Sequence, residues 1–403
     1  MTSRTTASRK GNSRSACGLL LHELCSISSA SGDVDGIGRV AERLAAELEA
    51  TGLHCEVRRE PNGRGGVEPV LVARALEAKH DVLLLVGHLD TVLPAVPPRR
   101  EGTRLHGTGA LDMKGGLVTL VCALQELRRR GGVLPAGLVF VGVPDEEASG
   151  TIGERVIREW GACARMMLVL EPGEARAGGE TIVAGRRGLT EWRLEVRGTA
   201  AHSGLAYWDG RSALAAAAQW CARAQKLSRR GPGATVNVAR LVGGDADFVL
   251  HLGQHHDVLG TSRRRNVIPD HAVAEGEIRF LSVRDRDATI RRLRSLGTRT
   301  AREHDVEAEL STGSTVPPVS PSGAGEPLVR RTVELAAQRG WTLLVEDDRG
   351  GISFPNYLVD PDKLPILDGL GPVGEGMHTR DEWLDLRSLE RRIVLLADLF
   401  ATL

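Results

Sequence analysis

His88, Asp90, Asp112, Glu146, Glu147, Glu171 and His378 occupy five short segments of this chain. These are Val86-Gly87-His88-Leu89-Asp90-Thr91, Gly107-Thr108-Gly109-Ala110-Leu111-Asp112-Met113-Lys114-Gly115-Gly116, Pro144-Asp145-Glu146-Glu147, Leu170-Glu171-Pro172 and Gly376-Met377-His378. Imidazole and carboxylate are the donors zinc takes, and a catalytic site leaves one position open for water. Two ions a few ångströms apart need a bridge, which a carboxylate supplies by giving one oxygen to each. Asp112 is the candidate bridge, because the glycines around it allow close approach. His88 with Glu171 and His378 with Glu147 would then complete the two ligand sets. Asp90 lies two positions after His88, so on an extended chain both point the same way. It is the candidate for orienting the imidazole. Glu146 neighbours a ligand but alternation turns it elsewhere, free to act as a general base.

The positioning elements follow from hydropathy. Asp81 to Gly87 leads into His88, Leu138 to Val143 into Glu146 and Glu147, and Met166 to Leu170 ends at Glu171. Runs that are apolar throughout read as strands of a parallel sheet buried on both faces. Polar groups at their C-terminal ends gather on one edge, where α/β proteins bind ligands. Amphipathic helices are expected at Val40 to Ala50, Gly116 to Arg130, Glu326 to Arg339 and Leu386 to Phe400. Between them the pattern changes. Strands at Leu189 to Arg197, Thr235 to Val242, Ala272 to Leu281 and Val306 to Leu310 alternate with helices at Ser212 to Ser228 and Ala288 to Glu303, as in an antiparallel sheet covered on one side. The expected fold class is α/β, a catalytic domain with a mixed, largely parallel sheet flanked by helices, plus an inserted α+β domain. The boundaries are 1–16 for a disordered lead-in, 17–188 and 315–403 for the catalytic domain, and 189–314 for the insertion.

Lys plus Arg equals Asp plus Glu, 52 each among 403 residues, so no nucleic-acid partner is expected. Clusters such as Arg128 to Arg130 read as solvated surface. No stretch is long enough to span a bilayer, and His22 and Glu23 interrupt the only apolar run near the N-terminus, which excludes a secretory core there. Cys17, Cys25, Cys55, Cys122, Cys163 and Cys221 show no CxxC spacing and read as free thiols of a cytoplasmic protein.

The five segments, in this order and at strand ends, resemble the dizinc metallopeptidase family of carboxypeptidase G, acetylornithine deacetylase, succinyl-diaminopimelate desuccinylase and aminoacylase. The likeness runs from about Leu19 to Leu399. It implies two Zn2+ (Co2+ or Mn2+ suit the same donors) held by His88, Asp112, Glu147, Glu171 and His378. It also implies Asp90 orienting His88, Glu146 as base, and a cis peptide at Asp112-Met113. The inserted domain of such proteins is a lid that dimerises. Gly198-Thr199-Ala200-Ala201-His202-Ser203-Gly204 resembles the motif whose histidine, here His202, steadies the oxyanion in the partner subunit's site. Asn266 and Arg279 resemble lid residues that grip substrate. Glu171, rather than Asp, is the carboxypeptidase and desuccinylase variant.

Two segments depart from that pattern. Arg349-Gly350-Gly351-Ile352-Ser353-Phe354-Pro355 stands where the family has Gly-Gly-Gly-Ser-Asp, which places a phenylalanine in a substrate-side loop; Arg349 is a candidate carboxylate clamp. The lid is also longer between Gly243 and Asn266, read as an extended hairpin, with His251, His255 and His256. The expected activity is hydrolysis of the amide bond of an N-acyl amino acid or small peptide. Amide synthesis on the same scaffold, and a catalytically dead metal-stabilised binding protein, are the alternatives.

Overall fold

The computed structural model describes residues 16–75, 80–231, 233–251, 266–321 and 323–403. Most of the expected lead-in, with His255 and His256, lies outside the described residues, whereas residue 16 already belongs to a helix spanning 16–26. The chain divides into two compact units. One comprises Met1–Gly185, Val319–Arg349 and Ser353–Leu403, the other Arg186–Pro318 with Gly350–Ile352.

The first unit is built on a six-stranded sheet. In spatial order its strands are His54–Pro61, Val67–Arg74, Leu138–Val143, Val82–His88, Ala164–Val169 and Ile366–Leu367. The last four run parallel, and the first two form an antiparallel hairpin added at one edge. Every residue of Val82–His88 and of Leu138–Val143 is buried, as unbroken apolar runs require. Sequence patterning misses the hairpin because His54–Pro61 is a polar edge strand with alternating exposure.

Helices cover this sheet for readable reasons. Val34–Ala50 starts at Asp33, whose side chain accepts from the Gly36 N–H, and it buries Ile37, Val40, Ala41, Leu44, Ala45 and Leu48. That is the three-and-four spacing of one helix face. Truncating a core side chain such as Leu44 to Ala costs about 2–5 kcal/mol. Gly115–Arg129 packs against Leu386–Phe400, whose N-cap is Asp385. Cys17 and Cys122, one on the 16–26 helix and one on Gly115–Arg129, are joined as a disulfide. This corrects the reading of six free thiols: Cys25, Cys55, Cys163 and Cys221 alone are free. The paired residues stand 105 positions apart, and helix packing rather than spacing brings them together.

The second unit is a four-stranded antiparallel sheet in the order Thr235–Gly244, His271–Phe280, Gly188–Arg197 and Glu307–Val316. Burial alternates along Gly188–Arg197, so one face carries Trp192, Leu194 and Val196 into a core shared with Trp220 and Leu293 of helices Ala213–Gln225 and Val283–His304. Most of the extended hairpin expected between Gly243 and Asn266 lies outside the described residues; at its start Ala246–Leu250 is helical. Asp245 caps it through the Phe248 N–H.

Candidate metal centre

The parallel strands of the first unit end together. His88 stands in register with Val143, and Val86 with Val169. His88, the Asp145–Glu147 loop and Glu171 therefore leave one edge of the sheet. The Asp112 segment reaches the same edge through a glycine-rich turn. Gly109 sits at φ +73°, which a side chain would oppose, and a Cβ on Gly116 would run into the Leu170 carbonyl. The Asp112–Met113 peptide is cis.

Asp112 lies between the two histidines. Its Oδ1 is 3.1 Å from His88 Nε2 and its Oδ2 is 3.3 Å from His378 Nε2, which is also 3.2 Å from Glu147 Oε2. His88 is 1 % exposed, and its Nδ1 lies 3.0 Å from the backbone oxygen of Asp90. A carbonyl only accepts, so Nδ1 holds the proton and the Nε2 lone pair of a neutral ring faces a carboxylate. Two facing acceptors need a cation or a second proton between them. Burial opposes the charged ring, but the hydrogen bonds with Asp112 and Asp90 outweigh it and hold His88 well above the usual histidine range. His378 is pushed up to about 9, mainly by its hydrogen bond to Asp112. His378 also adopts φ +64°, a left-handed backbone that costs a non-glycine residue about 1–2 kcal/mol.

The adjacent glutamates lie in a turn, beyond the end of strand Leu138–Val143. Glu146 joins His88 and Glu171, and Glu147 joins His88 and Asp112, in groups whose ligand atoms lie within 4.8 Å of one another. Burial pushes both glutamates up to about 7, with the Asp112 charge adding to it against the pull of His88. Asp90 reaches further than the imidazole. Its carboxylate is 3.5 Å from His88 Nδ1 and accepts the N–H groups of Glu146 and Glu147, at 3.3 and 3.2 Å, and the Ser31 hydroxyl at 2.7 Å. Asp145 accepts the Ile152 and Gly153 N–H groups, which pins the glutamate loop to the start of helix Thr151–Gly161.

The departing loop also reaches the site residues. Ser353 Oγ donates to Glu171 Oε1 at 3.2 Å. Phe354 is fully buried, with its ring centroid 6.3 Å from that of His88 and 6.4 Å from that of Tyr357. The ring is thus buried in the core, where an apolar group is more stable than in water, rather than exposed on the loop. The Nε and Nη2 fork of Arg349 is taken by Glu346, at 3.2 and 2.8 Å. In the second unit the Arg279 fork is likewise paired, with Glu277 at 2.9 and 3.1 Å. His202 is exposed there. Its Nδ1 accepts the Gly204 and Leu205 N–H groups, and its Nε2 lies 3.1 Å from the Asn266 side-chain amide. Two donors on Nδ1 put the neutral ring's proton on Nε2, and that proton requires the Asn266 amide to turn its oxygen rather than its Nδ2 toward the ring.

A carboxylate between two imidazoles, ringed by further carboxylates at the C-terminal edge of a parallel sheet, defines the class: an α/β protein with a site built to ligate metal. Residues 84–402 match peptidase family M20/M25/M40, and the chain belongs to that family. It is 28% identical over 391 residues to carboxypeptidase G2 of Pseudomonas sp. (strain RS-16), covering 95% of this chain and 88% of the relative. It is 26% identical over 385 residues to succinyl-diaminopimelate desuccinylase of Janthinobacterium sp. (strain Marseille), covering 92% and 94%. The fold matches aminopeptidase PepT from Bacillus cereus ATCC 10987 with a TM-score of 0.75, at 21% identity and 96% and 98% coverage. No helix among the described residues is long and apolar enough to cross a membrane.

Proposed function

We propose that this chain is a two-zinc amidohydrolase that releases an amino acid from an N-acyl amino acid or small peptide, as a glutamate-carboxypeptidase-like enzyme. The observation that carries this is Asp112, with one oxygen toward each imidazole and Glu146 beside His88. The donor set fits divalent cations: each histidine nitrogen facing a carboxylate would exchange a proton for an ion. His88, Glu171 and Asp112 would hold one, His378, Glu147 and Asp112 the other. Ions held there would supply Lewis acidity, lowering the pKa of water in the site and polarising the amide carbonyl. Glu146, raised by burial into the range of a base working near neutrality, takes the proton from the attacking water and returns it to the leaving amine. Asp90 fixes the His88 tautomer and, through the Glu146 and Glu147 N–H groups, the loop carrying base and ligand.

His202 offers Nε2–H as a donor to the developing oxyanion, and we place that donation in the partner subunit's site of a homodimer formed through the lid. Asn266 stands beside it as a substrate contact. Arg279 and Arg349 would bind a substrate carboxylate only by exchanging their present glutamates for it. Family membership and the similarity to carboxypeptidase G2 favour hydrolysis over synthesis. The test is turnover of a panel of N-acyl amino acids and dipeptides by protein stripped with chelator and then reloaded. Metal-dependent release of a free amino acid is expected. Zinc-loaded protein inactive on the whole panel would refute the reading.

Metal uptake should depend on pH with a definite sign. Ligands must lose their protons to bind an ion. In the metal-free protein Glu147 titrates at about 7 and His378 at about 9. Apparent zinc affinity is therefore expected to rise from pH 6 to pH 9, and loading at pH 7 to release protons. Calorimetry in two buffers of different ionisation enthalpy measures both. A flat affinity across that window would mean the ligands were already deprotonated.

A further inference from the structure

Glu382 belongs to none of the ligand sets above, and in the sequence Thr379-Arg380-Asp381-Glu382-Trp383 it reads as one more charge in a surface turn. Its side chain is instead buried, with the residue 3 % exposed. Its carboxylate accepts three backbone N–H groups of the Asp112 segment: Oε2 from Gly109 at 2.8 Å, Oε1 from Leu111 at 2.8 Å and from Asp112 itself at 2.9 Å. The Glu382 backbone oxygen accepts from the Gly107 N–H at 3.1 Å. These contacts are built in by topology, because strand Trp383–Asp385 pairs antiparallel with Arg104–His106, Trp383 opposite His106. The residue before Trp383 therefore lies beside the residue after His106.

The Asp112 segment needs such a partner. Asp112 and Met113 have non-helical backbone angles, so no regular ladder satisfies the N–H groups around them. Buried N–H groups without acceptors are costly, and bonds to a charged acceptor are about twice as strong as neutral ones. The same short stretch carries His378. Its turn is closed by the Thr379 hydroxyl, which donates to the Gly376 oxygen at 2.7 Å and accepts the Asp381 N–H at 3.2 Å. Asp112 and His378 approach each other from chain segments on opposite sides of the 186–318 unit, and Glu382 is the tie between those segments.

We propose that Glu382 is a positioning residue that sets the orientation of the Asp112 carboxylate and its distance from His378, and so the geometry in which two ions are shared. This rests on the two-metal reading given above. A carboxylate that only closed a turn would affect stability, whereas a positioning residue affects coordination.

The test compares wild type with Glu382→Gln. The amide keeps one oxygen acceptor but turns its NH2 group toward an N–H donor, so one of the three bonds becomes a clash of donors. Glu382→Asp, which keeps the charge and withdraws it by one carbon, is made alongside so that a folded variant is in hand. Leu44→Ala serves as the packing control: Leu44 is fully buried on helix Val34–Ala50, away from the Asp112 segment. Apo proteins are titrated with Zn2+ against a chromophoric chelator, and the visible spectrum of the Co2+-loaded forms is recorded. Weakening of metal affinity by about 10–100-fold in the Glu382 variants is expected, as for partners of metal ligands generally, with a changed Co2+ spectrum. Leu44→Ala should lower the unfolding temperature with affinity and spectrum unchanged. A folded Glu382 variant that binds two ions with wild-type affinity and spectrum would overturn this inference and leave the two-metal reading standing. Wild-type protein that takes up no second ion would overturn both.

Discussion

Glu146→Gln is expected to lower turnover by about 100- to 10,000-fold, the range removed with a general base, while metal content and fold stay intact. Gln is isosteric and can still accept a hydrogen bond, but it cannot take a proton from water or return one to the leaving nitrogen. Glu146 donates its backbone N–H to Asp90, and the substitution leaves that bond untouched. The loop holding Glu147 should therefore keep its shape. The loss should fall on kcat rather than KM, because the proton transfers occur in the transition state. Steady-state kinetics with metal analysis of the same sample reads all three quantities. A variant with near-normal kcat would remove Glu146 from the mechanism.

Mixed dimers of Glu146→Gln and His202→Ala are expected to recover activity that neither homodimer has. His202→Ala alone should lose about 100- to 1,000-fold, as when one oxyanion donor is removed. If His202 serves the partner subunit's site, one site of each mixed dimer combines an intact Glu146 with an intact His202. Random reassortment in a symmetric dimer then restores roughly a quarter of the wild-type rate, since half the dimers are mixed and half their sites complete. Refolding the two variants together, with tagged chains to show that mixed dimers formed, measures this. No recovery in verified mixed dimers would place His202 in its own subunit's site or outside the reaction.

The ligand groups were legible before any fold because their signal is local. His88, Glu146, Glu147 and Glu171 follow short apolar runs, and parallel pairing brings such run ends to one edge. The structure aligns them by register, His88 with Val143 and Val86 with Val169. Helix Leu386–Phe400 and strand Leu138–Val143 have the bounds their patterns predict. That Phe354 is buried was not legible, because its position in a loop that usually bears a carboxylate says nothing about which way the ring turns. Sequence shows the guanidinium of Arg279 or Arg349 and not its partner, and in the structure each is paired with a glutamate.

By itself, the sequence determined which donors are present, that they stand at strand ends, and that a metal-ligating α/β unit is interrupted by a second one. Residue type and periodicity carry that information within a few positions of each donor. Only the tertiary structure decided that Asp112 gives one oxygen to each histidine, that Cys17 meets Cys122, and that Glu382 holds the Asp112 segment from 270 residues away. Buried N–H groups take whichever acceptor the packed chain brings within reach, and that choice is made by contacts between distant segments, which no local pattern encodes.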